Sequence, residues 1–231
     1  MKAYKSFLQL SVLALLVGCG DSTSPSPRSP APDEVYWNQT ISYGTLIDSR
    51  DGKTYRTIML GPDTWMAQNL DYLPDSGNSK CFNSEAINCQ VYGRLYDWET
   101  ANLACPSGWH LPTESDWLDI EIQAVKVSLN VGQALKTTTG WYDKNNGQDI
   151  FGFSALPGAS SSAPLEDVDG LGQLGGFGEW WTATEDTNYT GENFSRPNAL
   201  ENYLNWNSSR ISIRTNNKRN GNSVRCVKDL I

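Results

Sequence analysis

Cys105-Pro106-Ser107-Gly108-Trp109-His110-Leu111-Pro112-Thr113 separates the two segments of the chain that read as helices. The residue before a proline is pushed out of the helical region, so Cys105-Pro106 ends a helix expected over roughly Tyr96 to Ala104. After Pro112 a second helix is expected, with Thr113 as N-cap and Glu114 and Asp116 in its first turn. Trp117, Ile120, Ala124 and Val125 supply its buried face. Upstream, Gly44–Asp48 and Thr54–Leu60 flank a turn containing Asp51-Gly52 and read as a hairpin. Trp65-Met66-Ala67, after the Gly61-Pro62 break, reads as a third short strand. Downstream, Gly140 to Gly178 is rich in Gly, Asn and Ser and has few regular signals. Strands return at Glu179–Ala183 and Ser209–Arg214, and after the Asn220-Gly221 turn Ser223–Val227 closes the sheet. Strands, two helices, an irregular region and then strands make an α+β pattern.

The chain has 231 residues, 11% of them aromatic, which suits one packed domain with a small appendage. Its net charge of −8 argues against a general electrostatic grip on nucleic acid, so no nucleic-acid partner is expected. One His and 5 Cys leave few zinc ligands. At the N-terminus, Lys2 and Lys5 precede an apolar run from Phe7 to Val17, too short to span a bilayer. It ends in Leu16-Val17-Gly18-Cys19, which resembles the lipobox of bacterial lipoproteins. Residues 1–18 are therefore expected to be a lipoprotein signal peptide, with Cys19 lipidated. Residues 19–35 form a Pro/Ser-rich tether, and residues 36–231 form the globular domain. The expected location is the cell envelope, lipid-anchored to a membrane, periplasmic or surface-exposed. Four cysteines remain in the domain, and an exported chain with an even count suggests two disulfides out of three possible pairings. Cys81–Cys89, a small loop, and Cys105–Cys226, which ties the middle of the domain to its last strand, are the favoured pair. A metal site made of the four thiolates lacks paired CxxC spacing.

Seven blocks then stand in order: Asp48–Tyr55, Trp65–Leu70, Tyr92–Trp98, Cys105–Thr113, Gly152–Gly158, Trp180–Thr184 and Ser223–Cys226. Together they resemble the Fibrobacter succinogenes major paralogous domain family, over most of the chain beyond Gly44. The resemblance implies a C-type-lectin-like fold, with two helices flanking small antiparallel sheets and a long irregular loop region before the final strands. It also supports the Cys105–Cys226 pairing. The family carries no settled activity, so the resemblance implies a fold and not a reaction.

Candidate chemistry is sparse. His110, the lone histidine, sits at a turn entering a helix and reads as a structural imidazole bonded to backbone, with no nucleophile motif near it. Gly170–Gly175 matches GxGxxG but lacks the strand and helix that dinucleotide binding requires. Glu166, Asp167 and Asp169 alternate before Gly170 and suggest Ca2+ as a minority reading, against a solvated acidic loop. Arg196-Pro197-Asn198 and Trp206-Asn207-Ser208 are only degraded echoes of the lectin sugar-binding triplets. Trp65, Trp98, Trp109, Trp117 and Trp181 are expected in the core. Trp141, Tyr142, Tyr189, Tyr203 and Trp206, in polar Asn-rich contexts, are the candidate sugar-stacking residues; alternatively they pin long loops. From Arg210 to Lys228 there are six bases and no acid, and from Asp143 to Asp186 eight acids and one base; the two poles can pair within the domain or meet other surfaces, but solvated strand faces and a turn are the favoured reading. The expectation is a non-enzymatic, cofactor-free binding module for polysaccharide or an envelope protein. The alternatives are a scaffold without a small ligand, or a formylglycine-generating-like enzyme, which needs a reactive cysteine pair.

Overall fold

The computed structural model describes residues 37–158, 160, 164–165, 174–187 and 197–230. The expected signal peptide over residues 1–18, Cys19, the tether over residues 19–35, Glu166, Asp167, Asp169, Tyr189 and most of the GxGxxG stretch lie outside the described residues.

Among the described residues, two sheets and four α-helices form an α+β domain. The hairpin forms as expected: β1 (Gly44–Ile47) and β2 (Thr54–Leu60) pair antiparallel, and Gly52 takes the left-handed turn position at φ 75°. β3 (Asp63–Met66) pairs with β2. Next come β4 (Ser79–Lys80), α1 (Ala86–Tyr92), β5 (Leu95–Tyr96), α2 (Trp98–Ala104), β6 (Trp109–His110), α3 (Glu114–Val127) and α4 (Val131–Leu135). The last strands are β7 (Phe177–Glu185), β8 (Asn198–Asn205), β9 (Ile211–Asn217), β10 (Asn222–Ser223) and β11 (Val227–Lys228). One sheet has the order β1-β2-β3-β11-β6 and the other β4-β5-β10-β7-β8-β9. All the strand pairings are antiparallel except β10 with β7.

Several boundaries differ from the sequence reading. Tyr96 belongs to a strand, and the helix begins only after Asp97, whose Oδ1 accepts a hydrogen bond from Thr100 N at 2.9 Å. That side-chain acceptor fixes the N-terminus two residues later than the sequence reading placed it. α3 starts where expected, because Thr113 and Asp116 form a reciprocal cap. Its buried face is Trp117, Ile120 and Ala124, whereas Val125 is exposed. β8 was not legible at all, since Asn198–Asn205 is half polar; nor were α1 and α4, both short. Val224-Arg225-Cys226 does not continue a strand; it carries the chain from β10 in one sheet to β11 in the other.

That crossover holds the domain together. Arg225 is fully buried between the sheets, with its guanidinium 4.1 Å from the Phe153 ring centroid and 5.6 Å from that of Trp180. Its neighbour Cys226 is bonded to Cys105, and Cys81 is bonded to Cys89, so both favoured disulfides are present. The bridge between Cys105 and Cys226 spans 121 residues. By chain-entropy reasoning such a closure contributes about 4–5 kcal/mol. Trp65, Trp117, Trp180 and Trp181 are buried, while Trp98 and Trp109 pack against the core partly exposed. The two charge poles pair within the domain: Arg214 meets Glu179 and Glu201, and Lys218 meets Glu185.

His110 differs from expectation in its partners. Its Nδ1 lies 2.6 Å from Asp229 and its Nε2 3.6 Å from Asp116, so carboxylates rather than backbone hold the ring. The imidazole thereby links the chain's C-terminal tail to the capped start of α3.

Candidate functional site

Strand register sorts the side chains of β7, β8 and β9 onto two faces. Glu179, Tyr203 and Ser212 lie side by side, as do Trp181, Glu201 and Arg214, so these six share one face. There the Arg214 guanidinium bonds Glu201 through Nε and Glu179 through Nη2, and sits 4.6 Å over the Tyr203 ring. The second oxygen of Glu201 accepts from Asn216 and from Asn222. Burial, reinforced by the charge of Glu201, raises the Glu179 carboxyl above its usual range. Leu165 N donates to Arg219 O at the edge of this region, so a returning segment pairs alongside it. The lattice cross-links the strands around buried Glu179 and Glu201, with Arg214 half exposed above them and Glu179 Oε2 and Asn222 Oδ1 left without a partner among the described residues.

The opposite face packs into the core through Trp180 and Leu204 and opens only toward β9. Between α3 and β9 lies a groove of about 430 Å³. Trp117 and Leu118 of α3 form one wall and Ile211 and Ile213 of β9 the other. Glu114, Glu121 and Arg210 bring charge to it, and Asn202 enters from β8. Leu118 and Ile213 are half exposed, so the groove has apolar surface at its mouth. Two of its lining residues carry donors with no acceptor among the described residues: Asn202 Nδ2 and Trp117 Nε1. Asn202 is 5% exposed and Trp117 2%. A buried donor left unpaired costs about 1–3 kcal/mol, and because both nitrogens have essentially no accessible surface, a ligand oxygen meets them only where the groove wall shifts to admit it. Polar donors set among apolar walls are the ordinary makeup of a small-molecule site.

Of the aromatic residues singled out in the sequence, Trp141 is corrected. Its ring is 4% exposed and its Nε1 is bonded to Thr137 Oγ1 and Ala155 O, so it belongs to the core and offers no face to a sugar. Tyr142 and Trp206 do meet, edge to face, with centroids 6.5 Å apart. Their backbone N–H groups donate to Gly175 O and Gly176 O, which ties this stretch of the long loop down. Tyr203 lies beneath Arg214 on the closed face. These residues do not form one platform, and none of them lines the groove.

Asn202 and Arg210 were not singled out from sequence as ligand-facing. The signal was present in Leu200-Glu201-Asn202-Tyr203-Leu204, where alternation puts an amide on the face of two leucines. Recognising β8 as a strand was the missing step.

No curated protein and no solved structure matches the chain. The model of one family, the Fibrobacter succinogenes major domain, matches residues 58–228. That span takes in the end of β2, β3 through β11, both disulfides and both faces of the larger sheet. The chain belongs to the Fibrobacter succinogenes major domain family.

Proposed function

We infer that the protein is an extracytoplasmic binding module, held to a membrane by lipid on Cys19, that takes a neutral glycan into the groove between α3 and β9. The observation that carries this reading is the pair of unmet donors, Asn202 Nδ2 and Trp117 Nε1, buried just behind a groove that combines apolar side chains with a charged rim. Sugar hydroxyls accept hydrogen bonds from these groups and donate to Glu114 and Glu121. The C–H face of a pyranose fits against Leu118 and Ile213. Two carboxylates against one guanidinium, Arg210, make the rim net negative, which favours uncharged sugars over uronic acids. A C-type-lectin-like architecture belongs to the same reading, supported by two small sheets with a long irregular segment ahead of the last strands. The pairing of all four domain cysteines supports a non-enzymatic role over formylglycine-generating chemistry, which needs free thiols.

The test is an array of neutral and acidic oligosaccharides probed with residues 34–231 and with an Asn202→Ala variant. Retention on neutral glycans, weakened roughly tenfold by the variant, is expected, because a tenfold change corresponds to about 1.4 kcal/mol. Retention on acidic glycans alone, or equal retention of both proteins, contradicts the reading. A scaffold role without a small ligand is favoured by one observation, the exposed stripe Leu118, Ile122 and Val125 along α3. Capture of an envelope protein through that stripe, with no glycan retained, supports the scaffold instead.

A further inference from the structure

The two disulfides stand in different surroundings. Cys226 is fully buried in the core, and no hydrogen bond reaches its sulfur or that of Cys105 among the described residues. The Cys81–Cys89 bridge lies at the edge of the larger sheet, between β4 and α1, and Cys81 is only half-buried. Arg94 Nη1 lies 3.6 Å from Cys81 Sγ and 3.5 Å from Cys89 Sγ, so one guanidinium touches both sulfurs. Arg94 is held in that position by Ser79 Oγ, which accepts from its Nε at 3.1 Å, and by Asp71 at 4.0 Å. A cavity of about 220 Å³, lined by Cys89, Asn69, Asp71 and Lys53 among others, lies on the Cys89 side of the bridge, while Cys81 is outside that lining and half-buried at the surface. Lys53 Nζ is bonded to Asp71 Oδ2 at 2.8 Å, which draws part of that carboxylate's charge away from Arg94.

We propose that Cys81–Cys89 is an exchangeable disulfide, opened by a dithiol of the thiol–disulfide oxidoreductase class, while Cys105–Cys226 is permanent. The incoming thiolate attacks Cys81 Sγ, the more exposed sulfur. A new S–S bond to Cys81 forms as the Cys81–Cys89 bond breaks, and Cys89 leaves as a thiolate beside the Arg94 guanidinium. A cation at hydrogen-bonding distance lowers the pKa of the departing thiol, and a lower leaving-group pKa speeds exchange. The second thiol of the dithiol then attacks its own sulfur in the mixed disulfide and releases Cys81. Two electrons and two protons pass from the dithiol, which ends as a disulfide, to the two cysteines. Opening loosens β4 and the first turn of α1 at the outer edge of the larger sheet, while Tyr92 at the end of α1 stays bonded to Asn69 beside the Arg225 crossover.

The mature chain treated with dithiothreitol at neutral pH, quenched by alkylation and mapped by mass spectrometry tests this directly. Cys81 and Cys89 are expected to be labelled at least tenfold faster than Cys105 and Cys226, with the circular dichroism of the fold retained. Arg94→Gln is expected to slow that opening roughly three- to tenfold. Asp71→Asn, which leaves the guanidinium less neutralised, is expected to accelerate it. Equal rates at both bridges, or opening only on global unfolding, overturns the proposal. Should Arg94→Gln not fold, an unchanged rate in Asp71→Asn overturns it equally.

Discussion

Arg225 donates twice to a single oxygen: its Nε and Nη2 lie 3.1 and 2.9 Å from Asn69 Oδ1. Trp180 Nε1 donates to the same oxygen at 2.8 Å, and Asn69 Nδ2 donates onward to Tyr92 O and Ser223 Oγ. Arg225 also donates to Phe153 O. Residues from five separate sequence blocks thus converge around one buried guanidinium that contacts no carboxylate among the described residues. Burial lowers its pKa to about 9, partly offset by the charge of Asp149 nearby.

Removing the acceptor should hurt more than removing the charge. Asn69→Leu leaves a buried cation short of partners and is expected to cost about 3–5 kcal/mol in urea unfolding. Arg225→Met removes the desolvated charge along with its bonds and is expected to cost less. The reverse order would show that Asn69 does not hold the guanidinium.

Acidification from neutral pH is expected to stabilise the fold before it harms it. Burial raises Glu179, Asp149 and Asp63 above the usual carboxylate range, in each case as the largest cause. A folded carboxyl with a raised pKa binds protons more tightly than the unfolded chain does, so its contribution grows as pH falls toward the ordinary value. Asp48 acts oppositely: burial would raise it, but the hydrogen bonds and charge of Arg50 outweigh that and lower it, so its contribution is lost only at more acidic pH. Tm followed from pH 7 to 5 should rise, at roughly 2–4 °C per kcal/mol, and rise less in Glu179→Gln. A monotonic fall over that interval would contradict the assignment.

Lys136 secures the turn between β8 and β9. Its buried ammonium donates to the carbonyls of Asn205 and Ser208 at 2.6 and 2.8 Å, and burial lowers its pKa to about 8. Between that value and the ordinary one the unfolded chain holds the proton more tightly, so this residue's contribution to stability increases with pH above about 8. Lys136→Met should flatten that rise and cost about 1–3 kcal/mol through the stranded carbonyls, with faster amide hydrogen exchange in residues 206–210.

Breaking the two bridges by paired Cys→Ala substitutions should separate them energetically. The bridge over 121 residues, Cys105–Cys226, is expected to cost about 4–5 kcal/mol, and the one over 8 residues, Cys81–Cys89, nearer 2–3 kcal/mol. Equal losses in calorimetry would mean that the longer closure has no entropic advantage.

Strong local chemistry is what made parts of this fold readable. Asp51-Gly52 and the Thr113 cap act within a few residues, and both appear where the sequence put them. β8 escaped notice because its buried Glu201 is compensated by a tertiary partner, Arg214 on the neighbouring strand, and Asn202 is buried beside the groove, neither of which a local pattern records. Trp141 misled for the same reason: its neighbours in sequence are polar, while its neighbours in space are the core. The disulfides were legible from the small number of cysteines, whereas the groove was not, because its walls come from α3 and β9, about ninety residues apart.

The glycan groove is tested most directly by side-chain N–H resonances. In a nitrogen-15 spectrum of the mature chain, addition of a neutral oligosaccharide retained on the array should shift the amide pair of Asn202 and the indole N–H of Trp117. The indole of Trp206 should stay in place. Saturable binding that moves Trp206 and leaves Asn202 and Trp117 untouched would place the ligand elsewhere and contradict the account.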